Sequence, residues 1–172
     1  MPYTAADGRQ KVTVLEVQPD DLKAITATAA NAGTDIQDHI LKTDFRLSAT
    51  ASATHTDTPL GAKGTWNNLA ESNAEGNVNV IRDLDDEGRP VVDSEAATVW
   101  DLFREKGTLL TVMVRNGPDP DEDWAAGDEY SVFVVETDNP QEQADRAGWI
   151  KHPIPLGVKE FELFQTLAAG TP

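Results

Sequence analysis

Two acid-rich stretches are the residues whose types and spacing come closest to a metal site. The first runs Asp83-x-Asp85-x-Glu87-Gly88 and resembles the first half of a calcium-binding EF-hand loop, including the glycine at its sixth position. Such a loop needs a bidentate glutamate at its twelfth position, and Ser94 stands there instead. We therefore interpret this stretch as a solvated turn.

The second stretch contains Asp119, Asp121 and Asp123. Trp124 occupies the place of the loop glycine, and Tyr130 occupies the twelfth position. This stretch is also interpreted as a solvated turn, so the sequence predicts no bound metal and no cofactor.

The other residues that can do chemistry lack the spacing of known catalytic motifs. His39, His55 and His152 lie far apart and form no HExxH pair, and neither a phosphate-binding glycine loop nor a G-x-S-x-G nucleophile turn occurs. The absence of cysteine rules out disulfides, thiolate zinc sites and a cysteine nucleophile. Dispersed carboxylates leave a small hydrolase such as a glycosidase as an alternative, because its two acids need no local motif. We predict that the chain is not an enzyme.

Charge and length limit the remaining functions. The chain has 172 residues and a formal net charge of -16, from 30 acidic and 14 basic residues. An acidic excess of this size disfavours tight binding to nucleic acid, which needs Lys and Arg to displace counterions. The length predicts a single domain over residues 1–172. No signal peptide and no apolar run of about 18 residues is found, so we expect synthesis in the cytoplasm and no membrane association.

The predicted elements are mainly strands with one helix. Strands are predicted over 75–84, 108–116 and 128–137, and the helix over about 94–106. Within this helix Val99, Trp100 and Phe103 fall on one face and are predicted to be core residues. The later segment with Pro153 and Pro155 is predicted to lie at an edge or a bend, because proline lacks the N–H of a ladder hydrogen bond.

Residues 45–55 show the clearest alternation in the chain. Apolar residues from Phe45 to Ala53 alternate with hydroxylated residues such as Ser48, Thr50 and Ser52. Period two over this length predicts a long strand with one polar face. Two interpretations remain open: a plain edge strand, or a strand that lines a wet channel.

Residues 56–74 are predicted to form a long loop, which in a compact domain is usually functional or disordered. Its large aromatic residue, Trp66, can pack either on its own domain or on a partner, together with Asn67 and Asn68.

Five short motifs, in order, give the chain a resemblance to the major tail tube proteins of long-tailed phages that infect actinobacteria. The motifs are Asn31-Ala32-Gly33-Thr34-Asp35-Ile36, Glu71-Ser72-Asn73-Ala74-Glu75-Gly76, Val99-Trp100-Asp101-Leu102-Phe103 with Lys106-Gly107-Thr108, Trp124-Ala125-Ala126-Gly127-Asp128-Glu129-Tyr130-Ser131-Val132, and Ile154-Pro155-Leu156-Gly157-Val158. They span about three quarters of the chain, and each one alone is short.

The resemblance implies a β-sandwich or barrel-like subunit of two hairpins with one flanking helix. It implies hexameric rings that stack into a hollow virion tail tube, through which DNA passes without specific binding. The paired strands 43–55 with 75–84 and 108–116 with 128–137 would be the two hairpins. Loop 56–74, with Trp66, Asn67 and Asn68, would reach the adjacent ring. The implied partners are further copies of the chain and other tail proteins, such as the tape measure, tail terminator and tail tip.

On this interpretation the polar strand faces form the lumen wall. The candidate lumen residues are Ser48, Thr50, Ser52, Asn77 and Asn79. The alternatives are a related ring-forming component of a secretion tube, or a stand-alone β-sandwich binding module.

Overall fold

A computed structural model describes residues 8–57, 60–61, 66–144 and 147–169, and for 57 and 66–68 it describes the backbone alone. The chain is mainly β, as predicted. The helices are α1 (Ala27–Asn31) and α2 (Glu95–Phe103), with a 3-10 helix at Gln37–His39. The strands are β1 (Gln10–Val14), β2 (Thr34–Asp35), β3 (Arg46–Thr50), β4 (Thr54–Asp57), β5 (Trp66–Leu69), β6 (Asn73–Ile81), β7 (Leu109–Asn116), β8 (Glu129–Thr137) and β9 (Lys151–Thr166).

Seven strands form one antiparallel sheet in the order β2-β1-β7-β8-β9-β6-β3, and β4 pairs with β5 in a separate two-stranded sheet. The long strand β9 pairs with β6 through its first residues, from Lys151 to Leu156, and with β8 from Leu156 to its end. β9 therefore joins the β3–β6 hairpin to the β7–β8 hairpin. The antiparallel pairing of β7 with β8 confirms the hairpin predicted for 108–116 and 128–137.

The sheet is covered on both faces near its centre. On β8, Phe133 and Val135 point into one core, whereas Tyr130, Val132 and Val134 point into the other. The first core is bounded by residues 36–41, which bond to Val12 on β1 and to Asn79 on β6. Because β1 and β6 lie four strands apart, this segment gives the sheet a barrel-like closure.

Helix α2 packs at the edge of the first core and follows the predicted pattern. It begins where the Ser94 hydroxyl accepts a hydrogen bond from the Ala97 N–H at 3.2 Å. It ends at Phe103, three residues before the predicted end, and Gly107 reverses the chain at φ +86°. Val99 and Phe103 are buried in the core, as predicted, and Trp100 is half-buried against it.

The two predictions over residues 45–74 were wrong in extent. The strand predicted over 45–55 is interrupted, because β3 ends at Thr50 and β4 begins at Thr54. The loop predicted over 56–74 contains all of β5 and the start of β6. The structure pairs β4 with β5 through their backbones, and the residues of these two strands carry no apolar alternation that a sequence pattern can detect.

The segment with Pro153 and Pro155 opens β9 and lies at a local sheet edge, as predicted, because it pairs with β6 on one side and the ladder with β8 begins only at Leu156. Both carbonyl groups accept hydrogen bonds from the irregular segment 138–141, donated by the N–H groups of Asp138 and Gln141. The N and C=O of one strand residue point to the same side, so each missing N–H also lies on that side. The prolines therefore leave the ladder with β6 intact.

Gly76 marks a close approach between three strands. An added Cβ would lie 2.9 Å from the Cβ of Leu156 and 3.0 Å from Cδ2 of Leu47. We expect Gly76→Ala to lower the free energy of unfolding by about 1–3 kcal/mol, as overpacking does in tight cores. Urea unfolding measures the change.

Gly117→Ala is the matched control, since nothing lies within 4 Å of its added Cβ. Its expected effect is within about 0.5 kcal/mol. Equal losses for the two variants would contradict the packing argument at Gly76.

Candidate functional site

The β3–β6 hairpin carries one polar and one apolar face. Residues paired directly across two antiparallel strands share a face, and the pairs include Ser48 with Glu75 and Arg46 with Asn77. The opposite face carries Leu47, which packs against the first core. The side chains of Ser48, Thr50, Ser52 and Asn77 are half-buried in the subunit.

Asn79 differs from the other four candidate lumen residues. It is only 2% exposed, and its Nδ2 donates a hydrogen bond to the Asp44 carboxylate at 3.0 Å. Asn77 donates to the backbone oxygen of the same Asp44 at 3.0 Å. The segment before β3 therefore covers Asn79, and the prediction that this side chain faces a lumen was wrong. Alternation along the strand predicted that Asn79 is on the polar face, but it could not predict that Asp44 would bury it.

Arg46, the one cation on the polar face of strands β3 and β6 themselves, is neutralised within the subunit. Arg46 forms an ion pair with Glu75, two pairing positions further along the hairpin. The exposed pair contributes little stability, because water screens it. It does remove the net positive charge that Arg46 would otherwise present on this face.

The β4–β5 pair extends the β3–β6 hairpin as a separate arm. The Ala70 N–H donates to the Ala53 oxygen at 2.7 Å, and the ladder continues through Thr54 and Leu69. Leu69 is exposed, as are Thr54, His55 and Thr56. A two-stranded hairpin by itself is only marginally stable in water. The side chains of Trp66, Asn67 and Asn68, predicted as a stacking loop, lie outside the described part of the structure.

Trp100, on α2, forms a small cluster with two side chains of neighbouring segments. The Arg82 guanidinium lies 4.3 Å from the Trp100 ring centroid, within the range of a cation–π contact. The His152 ring lies 5.2 Å from the same ring. Trp100 is thus both a packing residue of the helix and part of an aromatic surface.

The two acid-rich stretches use their carboxylates within turns. Asp85 accepts hydrogen bonds from the N–H groups of Glu87 and Arg89 at 2.9 and 2.8 Å, and Asp119 accepts from the Asp121 N–H at 3.1 Å. Within the described ranges no three His, Asp or Glu side chains converge on a point where a metal ion would bind.

Two buried cations hold the connection 117–128 between β7 and β8. Arg115, 1% exposed, donates to the Asp128 carboxylate at 2.7 Å and to the backbone oxygens of Asp119, Glu122 and Asp123 at 2.9–3.1 Å. The Lys11 ammonium, also buried, donates to the Pro120 oxygen at 3.0 Å. Four carbonyl groups of the connection therefore point inward.

The sequence analysis did not predict that Arg115 and Lys11 hold this connection. The signal available was a lone arginine, Arg115, at the end of the apolar run from Val112 to Val114. A charged residue at a position whose neighbours are all buried needs a compensating partner, and the nearby acidic connection could have supplied one.

Tyr130 couples the second core to pH. Its hydroxyl donates to the Leu22 oxygen at 2.8 Å, and burial raises its pKa above the ordinary value of about 10. The Ile25 N–H opposes this rise in pKa, and the nearby Asp21 and Glu162 carboxylates add to it. A raised folded-state pKa gives stability that is complete below pH 10 and is lost as the pH rises further.

Tyr130→Phe should therefore cost about 1 kcal/mol at pH 7, through the lost hydrogen bond. Urea unfolding between pH 8 and about 11 gives the free energy of unfolding of both proteins. The difference between wild type and variant should become smaller above pH 10. A gap that stays constant over this range would contradict the expectation.

Comparison with known proteins defines the class. The family model for phage tail tube proteins matches residues 1–171, so the chain belongs to the phage tail tube protein family. No curated protein matches it. Among solved structures, a chain from the six-fold symmetrised baseplate of the anti-feeding prophage is similar, with a TM-score of 0.53 at 13% identity. The match covers 96% of this chain and 98% of that one, and at this identity it shows a shared fold.

The described residues include no helix with the length and apolar character needed to span a membrane.

Proposed function

We propose that this chain is the subunit of a phage tail tube that forms rings of six, and that the rings stack into a hollow tube for DNA. Membership of the tail tube family over 1–171 carries the proposal. The fold shared with a chain of a six-fold symmetrised baseplate supports the number six. The short motifs described above favour a long-tailed phage of an actinobacterial host.

The free edge of the sheet supports ring formation. β3 is the last strand of the seven-stranded order, so one side of its backbone has no strand partner among the residues that the structure describes. An open edge promotes uncontrolled pairing unless it is protected. Closing the sheet around a ring would pair each β3 with a neighbouring copy and remove the edge.

The polar face of the β3–β6 hairpin is the proposed lumen wall. Ser48, Thr50, Ser52 and Asn77 supply a hydrated surface, and Glu75 compensates the charge of Arg46. Phosphate groups would gain little from such a wall, since binding to DNA depends on unpaired Lys and Arg. DNA would pass along it without being held.

The β4–β5 arm is the proposed contact to the adjacent ring. Leu69 is exposed on it, and the arm has no other strand partner among the residues that the structure describes. The tube would end on other tail proteins, such as the tail terminator and tail tip, and would enclose the tape measure. The subunit would be made in the host cytoplasm and act in the virion tail.

Negative-stain microscopy and sedimentation of the concentrated protein test the proposal. Wild type is expected to form rings or hollow tubes. Leu69→Asp should block stacking and leave subunit unfolding unchanged, because Leu69 is 78% exposed. Val17→Asp is the matched control at 75% exposure. A wild-type protein that stays monomeric in the presence of a tail initiator complex would overturn the proposal.

A second candidate is a ring-forming component of a secretion tube or baseplate, favoured by the baseplate neighbour alone. The same micrographs separate the two functions. Long tubes of regular repeat indicate a tail tube, whereas single rings that do not extend indicate a baseplate-type ring.

Salt should strengthen assembly. Each copy carries a formal net charge of -16, so copies repel one another at low ionic strength. Raising the salt from about 10 to about 150 mM shortens the Debye length from roughly 30 to 8 Å. We expect the minimum protein concentration for tube formation to fall over this range, as measured by sedimentation. A rise would mean that ion pairs between copies outweigh the general repulsion.

A further inference from the structure

Asn116 is the one asparagine in the chain that a glycine follows. At such a pair the side-chain amide can be lost spontaneously, because glycine has no side chain to hinder attack by its own peptide nitrogen. Asn116 is exposed at the end of β7, and nothing lies within 4 Å of a Cβ added at Gly117. The surroundings of the pair therefore leave room for this reaction.

The reaction consumes one water molecule and releases one ammonia. The Gly117 nitrogen, after giving its proton to hydroxide, forms a bond to Cγ of Asn116. The Cγ–Nδ2 bond breaks, and the leaving nitrogen takes a proton from water and departs as ammonia. Water then opens the five-membered ring at one of its two carbonyl carbons. Cleavage of the new N–Cγ bond gives aspartate, and cleavage at the main-chain carbonyl gives isoaspartate, whose main chain runs through Cβ and Cγ.

The fold holds Asn116 in a conformation that cannot form this ring. The residue ends β7 and pairs with Gln10 at the start of β1. In an extended strand the peptide nitrogen of the next residue is turned away from the side chain, so Cγ lies out of its reach. The Gly117 N–H also donates to the Arg9 oxygen at 3.1 Å. The start of β1 must therefore separate from the end of β7 before the nitrogen can attack.

Two side-chain hydrogen bonds reinforce this closed arrangement. Gln10 Nε2 donates to Asn116 Oδ1 at 3.2 Å, and Arg9 Nη1 donates to the Gly117 oxygen at 3.1 Å. Both hydrogen bonds are exposed, and the ladder between β1 and β7 ends at this point. Ends of this kind open at a much smaller free energy than the whole domain needs to unfold.

We infer that Asn116 is a site of spontaneous deamidation that reacts only when the start of β1, at Arg9 and Gln10, separates from β7. The inference concerns a single subunit and does not depend on the proposed assembly. The extent of deamidation in a sample therefore records how often this end of the sheet has opened.

The two products differ in their effect on the sheet. Aspartate at position 116 keeps the main chain unchanged, and its carboxylate still accepts a hydrogen bond from Gln10 Nε2. Isoaspartate adds a methylene carbon to the main chain. The pairing with Gln10 and the hydrogen bond from the Gly117 N–H to the Arg9 oxygen are then lost. The first product leaves the start of β1 paired, whereas the second leaves it unpaired.

The rate of deamidation in the folded and the unfolded chain tests the inference. Peptide mapping by mass spectrometry follows the conversion of amide to acid at residue 116. The folded protein should react at least about tenfold more slowly than the same protein in concentrated urea. The same opening frees the Gly117 N–H, so this slowing should equal the hydrogen-exchange protection of that amide within about threefold. Equal rates in the two states, or a slowing unrelated to that protection, would overturn the inference.

Side-chain variants test whether the two contacts hold the end closed. Arg9→Ala and Gln10→Ala should each speed deamidation of the folded protein about two- to tenfold, the range that one hydrogen bond spans, and leave the rate in urea unchanged. Arg104→Ala removes an exposed arginine from the end of α2 and is the matched control. It should change neither rate. Unchanged rates for both Arg9→Ala and Gln10→Ala would contradict the assigned role of these contacts.

Two further variants identify the site and its products. Gly117→Ala should slow the reaction in urea several-fold, because its methyl group hinders attack, and an unchanged rate would overturn the assignment to this pair. Asn116→Asp supplies the aspartate product directly and should keep the hydrogen-exchange protection of the Gly117 amide. Aged protein rich in isoaspartate at position 116 should lose that protection. Equal protection in the two samples would contradict the difference between the products.

Discussion

Replacing Arg115 by methionine is expected to lower the free energy of unfolding by about 3–5 kcal/mol, the usual cost of removing one partner of a buried ion pair. The guanidinium is 1% exposed and donates to the Asp128 carboxylate and three backbone oxygens. Without it, the mostly buried Asp128 keeps a charge with no compensating partner, and the carbonyl groups lose their donors. Urea unfolding measures the loss.

Three comparisons make this expectation specific. Arg104→Met removes an equally long cation whose ion pair with Asp101 is half-exposed, and it should cost about 0.5 kcal/mol or less. Arg115→Lys keeps the charge but lacks the planar fork that reaches several acceptors, so an intermediate loss is expected. Adding Asp128→Asn to Arg115→Met should recover part of the loss. If Arg115→Met lowers the free energy of unfolding no more than Arg104→Met does, the contacts of Arg115 do not stabilise the fold as argued.

Phe103→Ala is the second large effect, with an expected loss of about 3–5 kcal/mol. The ring is 1% exposed and packs with Val99 in the first core, where it anchors α2 to the sheet. Its removal leaves a cavity that the surrounding strands can fill only in part. Because whole domains are stable by about 5–15 kcal/mol, the variant should populate unfolded chains that aggregate rather than assemble. Thermal and urea unfolding measure the change.

Phe164→Ala is the matched control for the loss of a phenyl ring. Phe164 is 71% exposed, so its truncation should change the free energy of unfolding by about 0.5 kcal/mol or less. Its backbone has φ +53°, and alanine is strained there to a similar degree. Similar losses at 103 and 164 would mean that burial does not explain the effect.

Local patterns predicted the parts of the fold that burial itself shapes. Helix α2 was recognisable because Ser94 caps it and Val99 and Phe103 repeat at helical spacing. The β7–β8 hairpin was recognisable because apolar residues on both faces of each strand indicate a strand covered on two sides. In both cases the core leaves a periodic trace in the sequence.

Features formed by backbone pairing or by distant charges left no such trace. β5 has two polar residues between two apolar ones and no alternation, and its ladder with β4 forms through main-chain hydrogen bonds that most side chains permit. Asn79 was predicted to face water, yet Asp44, 35 residues away, accepts its hydrogen bond. The partners of Arg115 lie 4–13 residues further on, but which of several acids is buried with it depends on the folded loop.

The position of β9 in the chain has a consequence for the timing of folding. The β3–β6 and β7–β8 hairpins can each form from neighbouring segments, but only β9, which follows both, pairs with β6 and β8 at once. While residues 151–166 are still inside the ribosome, the strand ladder between the two hairpins is therefore missing, and the edges of β6 and β8 that β9 will cover are open. Ribosomes add about 5–20 residues per second, so this interval is short. Truncated chains would lack the strand that pairs with both hairpins, so they could not complete the seven-stranded sheet.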